Sequence, residues 1–375
     1  MQRRSFVRTG LAAVLLTPAA SLPLHALDSR RRSRLRRADP VRLSSNENPL
    51  GVPDSARDAI IDAIAQGHRY PQLNGELRTR IATKNGVEPS NIVLGNGSAE
   101  ILQMTVQAMS VGGRVRVVLP DPTFEQVERY ARAMGAEIEK IPLLPDHTHD
   151  IDRMSEAAAR SNTPVLAFVC NPNNPTGTLT SCDRVAEWIR TAPSNVWFLI
   201  DEAYLEFVDA ATYRPMVRDA LARENVLVSR TFSKVYGLAG IRLGYGIASA
   251  ATIRRVSDFA AATNINHLAA AAALACIDDA DFVRRSLDVN RRGLAAAYAT
   301  LDELGIEYVP SHANFVLHRV TGDLRAYIAA MREEGVAVGR PFPPMTSWNR
   351  VSIGLPDEMA VWSAALHRLR SRGIA

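Results

Sequence analysis

The chain has 375 residues, 47% of them apolar, which is enough for a large core and a second, smaller domain. Its formal charge of +5 is no argument for nucleic-acid binding: of 44 basic and 39 acidic residues, nine arginines and one acid fall in residues 1–37, leaving 35 basic against 38 acidic groups, a net −3. Cys170, Cys182 and Cys276 give neither a disulfide framework nor metal-ligand spacing, so no metal site is expected, and no apolar run beyond the N-terminal segment is long enough for a membrane span.

In chain order, the N-terminal segment comes first. Arg3-Arg4-Ser5-Phe6-Val7-Arg8, followed by the small and apolar stretch Gly10–Leu24, resembles a twin-arginine export signal. Leu24-His25-Ala26 offers a small-residue cleavage position, and the arginine-rich residues 30–37 read as a solvated tether. The resemblance implies that residues 1–37 address the protein to the twin-arginine machinery and the periplasm. An ordinary basic arm on a cytoplasmic protein is the competing reading.

Residues 38–70 read as an N-terminal arm and helix: an Asn-, Ser- and Pro-rich extended stretch, then an amphipathic helix over 53–66 ended by Gly67. A helix over 76–84, a strand over 91–94 and Gly95-Asn96-Gly97-Ser98 opening a helix over 99–110 follow. The alternation continues with strand 115–119, helix 122–134, strand 136–141, helix 154–160, strand 165–169, helix 181–190 and strand 196–200. Apolar strands separated by helices predict an α/β domain over 71–280 with a mostly parallel, doubly wound sheet. An alanine-rich helix over 254–279 and a long linking helix over 282–304 come next. Short strands at 308–309, 314–318, 336–338 and 350–353, with helices at 323–334 and 357–371, read as a smaller α+β domain over 281–375.

Between the apolar runs beginning at Val226 and ending at Gly246 sits Lys234, one of three lysines against 41 arginines. Lysine, unlike arginine, can lose its proton when desolvated and attack a carbonyl. A lysine at a loop edge with its head in water is the plain alternative. Asp201 directly follows Trp197-Phe198-Leu199-Ile200, at a strand exit where open α/β sheets bind ligands. It could cap a helix, hold a metal, or keep a ring nitrogen protonated. Gly95–Ser98 offers backbone N–H groups at a helix N-terminus, suited to a phosphate or to a plain tight turn. Asn171–Gly177 (NPNNPTG) is longer than a simple turn requires.

Together with Ser44–Gly51 (SSNENPLG), Gly95–Leu102 (GNGSAEIL), Asp201–Tyr204 (DEAY) and Arg230–Tyr245 (RTFSKVYGLAGIRLGY), these stretches resemble the fold-type I pyridoxal-phosphate aminotransferases of class I/II, in particular the histidinol-phosphate aminotransferase branch, over about residues 40–370. The resemblance implies that Lys234 forms the Schiff base with pyridoxal 5'-phosphate and then shuttles the substrate proton. Asp201 would pair with the ring nitrogen, Tyr204 and Asn174 with the ring 3-oxygen, and Phe124 would stack on the ring. Ser98, the Ala99 N–H, Thr231 or Ser233, and Arg242 would hold the cofactor phosphate, with Tyr70 reaching it from a second copy in a homodimer. Arg350 would clamp the substrate α-carboxylate or an equivalent anion beside Asn174, and Arg340 would meet a substrate phosphate. The reaction implied moves an amino group from an amino acid or related amine, such as histidinol phosphate or an aromatic amino acid, to a 2-oxo acid. A decarboxylase of phosphorylated amino acids on the same fold and a non-catalytic cofactor-binding module are the rival readings. No strand is followed by the Gly-x-Gly-x-x-Gly of nicotinamide enzymes.

Two positions depart from that branch. Leu50 stands where an aromatic residue is common, and Gly339 where an arginine usually follows the Val-x-Val strand, with Arg340 one residue later. A one-residue shift in a strand turns a side chain to the other face unless a bulge restores it.

Overall fold

The computed structural model describes residues 39–209 and 211–375; the leader expected over residues 1–37 lies outside them. Among the described residues are twelve strands: β1 (Val41–Arg42), β2 (Ile92–Gly95), β3 (Arg116–Asp121), β4 (Glu137–Pro142), β5 (Val165–Cys170), β6 (Val196–Asp201), β7 (Val226–Thr231), β8 (Gly244–Ala248), β9 (Tyr308–Val309), β10 (Phe315–Arg319), β11 (Val336–Ala337) and β12 (Trp348–Ser352). Seven form the central sheet, in the order β2-β8-β7-β6-β5-β3-β4. β3 to β7 pair in parallel, and β8 runs antiparallel to both of its neighbours.

β5 shows why the sheet is wound on both faces. All six of its residues are buried, and they alternate between two cores. Val165, Ala167 and Val169 pack with residues of the helices Asn74–Asn85, Ile151–Ala159, Cys182–Thr191 and His267–Cys276. Leu166, Phe168 and Cys170 pack with the helices Ser98–Ser110, Gln126–Ala133 and Ala250–Ser257. A period of two with both faces apolar is what a parallel strand under two helix layers requires. Each fully buried side chain such as Phe168 or Phe198 contributes about 1.5–3 kcal/mol of transfer free energy.

Beyond the long helix Ala280–Glu303, β9, β10 and β12 make a three-stranded antiparallel sheet with its own core around Tyr327 and Trp362. The N-terminal arm belongs to this layer: β1 pairs in parallel with β11, and Leu43 is buried in the same core. Val41–Ala375 nonetheless form one compact unit. Among the described residues no helix is long and apolar enough to cross a membrane.

Two local expectations are corrected. The helix expected over 254–279 is two helices, Ala250–Ser257 and His267–Cys276. Thr263 has a positive φ, and the Asn266 side chain caps the second helix by accepting from the Ala269 N–H, so alanine propensity does not carry through the break. The helix expected from Pro122 begins at Gln126, leaving Thr123-Phe124-Glu125 as loop. The short helix Val217–Ala222 carried no expectation.

Candidate active site

β6 and β7 lie side by side and both end at the carboxyl edge of the sheet, where Asp201 pairs in register with Cys170 on one side and Ser229 on the other. β7 ends at Thr231, whose hydroxyl accepts from the Ser233 N–H at 3.0 Å, and this turn delivers Lys234 to the same edge. Glu202 fixes the pair of strand ends from below. It accepts two bonds from Arg230 (2.9 and 2.7 Å) and others from the Tyr213 hydroxyl and the Met216 N–H.

Lys234 Nζ donates to the Asn46 carbonyl at 3.1 Å and stands 5.5 Å from the Tyr204 ring centre. Burial, helped by the Arg350 guanidinium, lowers its pKa from 10.5 to about 8. Asp201 is shifted the other way, because burial raises its carboxyl to about 7, and Oδ1 is buried with no hydrogen-bond partner. An amine ready to lose its proton thus shares a cavity with a carboxylate that receives the Ala203 N–H and keeps one oxygen without a donor. Burial also pushes the Tyr204 hydroxyl well above its usual range; that oxygen receives Asn46 Nδ2 at 3.0 Å and Asn174 Nδ2 at 3.4 Å.

Asn174 has its other face on Arg350, whose Nη1 donates to Asn174 Oδ1 at 2.6 Å and whose Nη2 donates to the Ser44 carbonyl at 2.9 Å. The guanidinium lies between the rings of Phe315 and Phe342, 5.3 and 4.7 Å from their centres, and burial lowers its pKa to about 10. At neutral pH it keeps its charge.

At the far end, Gly97 caps the helix Ser98–Ser110 with φ +78°, and a Cβ there would strike the Arg242 guanidinium. Glycine is therefore required twice, for conformation and for space. Arg242 itself adopts φ +66° and is tied by Nη1 to the Ala239 carbonyl at 2.8 Å and by Nη2 to the Asn96 carbonyl at 3.2 Å. A guanidinium, a helix N-terminus and the Ser98, Thr231 and Ser233 hydroxyls meet there, a combination suited to a phosphate.

These groups line one cavity of about 720 Å³. It brings together Ser98, Ala99, Phe124, Asn174, Asp201, Tyr204, Thr231, Ser233, Lys234, Arg242, Arg340 and Arg350. Tyr70 is not among its walls and is 82% exposed. Arg340 lines the cavity together with Val338, Pro341 and Phe342. Gly339 turns the other way, where a Cβ would strike the Arg350 carbonyl, so position 339 has no room for an arginine.

Sequence reasoning missed Asn46 and Glu125. Asn46 takes a left-handed φ of 53°, and its backbone and side chain bond Lys234, Tyr204 and Ser352. Asparagine tolerates that conformation better than most residues, so the Asn-rich arm carried a signal that an extended reading overlooked.

The residues present fit pyridoxal 5'-phosphate. The unpartnered Asp201 oxygen suits a ring N–H, the paired amides and hydroxyl of Asn174 and Tyr204 suit a ring oxygen, and the Gly97–Arg242 cradle suits the phosphate. The family model "Aminotransferase class I and II" matches residues 38–361. The chain is 42% identical over 333 residues to histidinol-phosphate aminotransferase 2 of Ralstonia nicotianae, covering 87% of each, and 37% identical over 321 residues to histidinol-phosphate aminotransferase of Bacillus subtilis, covering 85% and 88%. It superposes with a TM-score of 0.83 on the histidinol-phosphate aminotransferase of Sinorhizobium meliloti in complex with pyridoxal-5'-phosphate, at 26% identity, covering 96% of this chain and 99% of that one.

Proposed function

Since the chain belongs to the class I and II aminotransferases and is a pyridoxal-phosphate-dependent transaminase of fold type I, we propose that its amino donor is a small amine ending in an anionic group, histidinol phosphate foremost, with aromatic amino acids as second donors and a 2-oxo acid as acceptor. One observation supports this reading above the others. Two guanidiniums, Arg350 and Arg340, flank the Phe342 ring on one cavity wall, 4.7 and 4.4 Å from its centre. A substrate lying along that wall meets a cation at each end and an apolar face between them.

When bound, the cofactor supplies a ring that withdraws electrons from the substrate's α-carbon. Lys234 takes a proton from that carbon and returns one, which its lowered pKa permits near neutrality. Asp201 would hold a proton on the ring nitrogen, Tyr204 and Asn174 would hold the 3-oxygen, and Phe124 would pack against the ring. Ser98, the Ala99 N–H, Thr231, Ser233 and Arg242 hold the phosphate. Arg350 would clamp the carboxylate of a 2-oxo acid or amino acid, and Arg340 would meet the phosphate of histidinol phosphate, which has no carboxylate of its own.

A donor series with the purified protein, 2-oxoglutarate and added cofactor tests the substrate. Histidinol phosphate should exceed histidinol in kcat/KM roughly ten- to hundredfold, the worth of one charge-assisted contact. Equal values for the two donors would remove the anionic end from the reading, and release of CO₂ in place of glutamate would replace transamination by decarboxylation.

We also propose export by the twin-arginine route and assembly as a homodimer in which Tyr70 reaches the second copy's site. The Arg3-Arg4 segment supports the first. The exposure of Tyr70, Ile61, Ile64 and Val52 supports the second. Periplasmic extraction of cells expressing the full chain, followed by sedimentation, reads both: a species of about two chain masses in the periplasm is expected, from a 41.0 kDa chain. Retention in the cytoplasm opposes export, and a monomer opposes the shared site.

A further inference from the structure

Arg340, the cation assigned above to the substrate's far anion, is already occupied. Its Nη2 lies 2.5 Å from Glu125 Oε2, and its Nη1 donates to the Pro341 carbonyl at 2.9 Å. Glu125 lies in the loop before the helix Gln126–Ala133, and both partners line the main cavity, about half of each side chain being exposed. Behind the pair is a second pocket of about 210 Å³, walled by Glu125, Arg340 and Lys140 among others. Lys140 is itself held by Asp121 at 2.9 Å and Glu128 at 3.3 Å, so Arg340 is the cation paired with Glu125.

We infer that Glu125 is a specificity-determining residue: it holds Arg340 when the far end of the substrate is neutral and yields it when that end is anionic. A transaminase passes a donor and an acceptor through one cavity, and the two need not carry the same far-end charge. An unpaired guanidinium stacked on Phe342 would disfavour an apolar group beside it; pairing with Glu125 cancels that charge. A half-exposed ion pair is weak enough to be displaced by a substrate phosphate or second carboxylate. The released carboxylate can turn to water, since about half of its side chain is exposed. The pair therefore lets one wall accept two substrate classes. This inference rests on the anionic-donor reading above.

The test uses the cofactor-loaded enzyme, in which the cradle at Arg242 is filled. In Glu125→Gln, KM for histidinol phosphate and the inhibition constant of inorganic phosphate should both fall roughly three- to tenfold. Values of kcat should stay within about twofold, and KM for phenylalanine should stay level or rise. Arg340→Ala should weaken phosphate inhibition with or without the Glu125 change. An unchanged phosphate constant in Glu125→Gln, or an equal effect on both donors, overturns the inference. Phosphate inhibition indifferent to Arg340→Ala does so too. If the wild-type enzyme uses phenylalanine but not histidinol phosphate, the donor assignment fails, while the phosphate constants still decide the role of Glu125.

Discussion

Lys234→Ala protein supplied with cofactor should transaminate at least about a thousandfold more slowly than wild type, because on the proposed assignment it lacks both the amine that captures the cofactor and the group that moves the α-proton. Lys234→Arg fares no better, since guanidinium keeps its proton at all accessible pH. The wild-type amine also sets a pH dependence. Its pKa is lowered by burial from 10.5 to about 8, and only the neutral amine attacks an aldehyde. The rate at which unloaded protein turns yellow with pyridoxal 5'-phosphate should therefore climb between pH 7 and 9 and flatten above, where an ordinary lysine would still be climbing. A rate that keeps rising to pH 10.5 contradicts the desolvated lysine. Covalent, borohydride-reducible capture of the cofactor by Lys234→Ala protein contradicts its assignment altogether.

Asp201→Asn separates activity from stability. Loss of the charge facing the ring nitrogen should cut kcat about a hundred- to thousandfold. The unloaded variant, however, should be more stable than unloaded wild type at pH 8. Burial raises the Asp201 carboxyl from 3.8 to about 7 in the folded chain, so folding is disfavoured as the unfolded chain ionises first. That penalty is absent below about pH 4, grows between pH 4 and 7, and stays constant above, at a few kcal/mol. Urea unfolding of both unloaded proteins at pH 4.5 and pH 8 checks the sign: the variant's advantage should shrink at the lower pH. Cofactor should reverse the order at pH 8, by giving the free Oδ1 of the wild-type carboxylate a partner. A variant less stable than wild type at pH 8 without cofactor would show that the bond from the Ala203 N–H outweighs the cost of burying the charge.

The parts of this site legible in the sequence are those whose chemistry sits beside a strand end. Asp201 follows an apolar run, Lys234 is a rare lysine between two such runs, and the Gly97 turn opens a helix, so strand order alone places all three at one edge. Contacts across the chain were not legible. The Asn46 carbonyl that receives Lys234 lies 188 positions earlier, and nothing local marks that pairing. Glu125 was hidden by a boundary: a helix drawn from Pro122 turns Thr123-Phe124-Glu125 into surface helix, whereas the loop puts all three on the cavity wall. Gly339 illustrates a third limit. Its meaning is a steric one, set by the Arg350 backbone against it, and only the packed structure shows that Arg340 is the residue that lines the cavity.

The seating of β1 against β11, with Leu43 locked in a core and Asn46 holding the reactive lysine a few residues on, makes the front of the chain a restraint on the chemistry. Processing by a protease can therefore go only so far. Cuts upstream of Val41 leave the catalytic centre braced, whereas a cut a handful of residues further in would release Lys234 from its anchor, so that maturation would merge into inactivation.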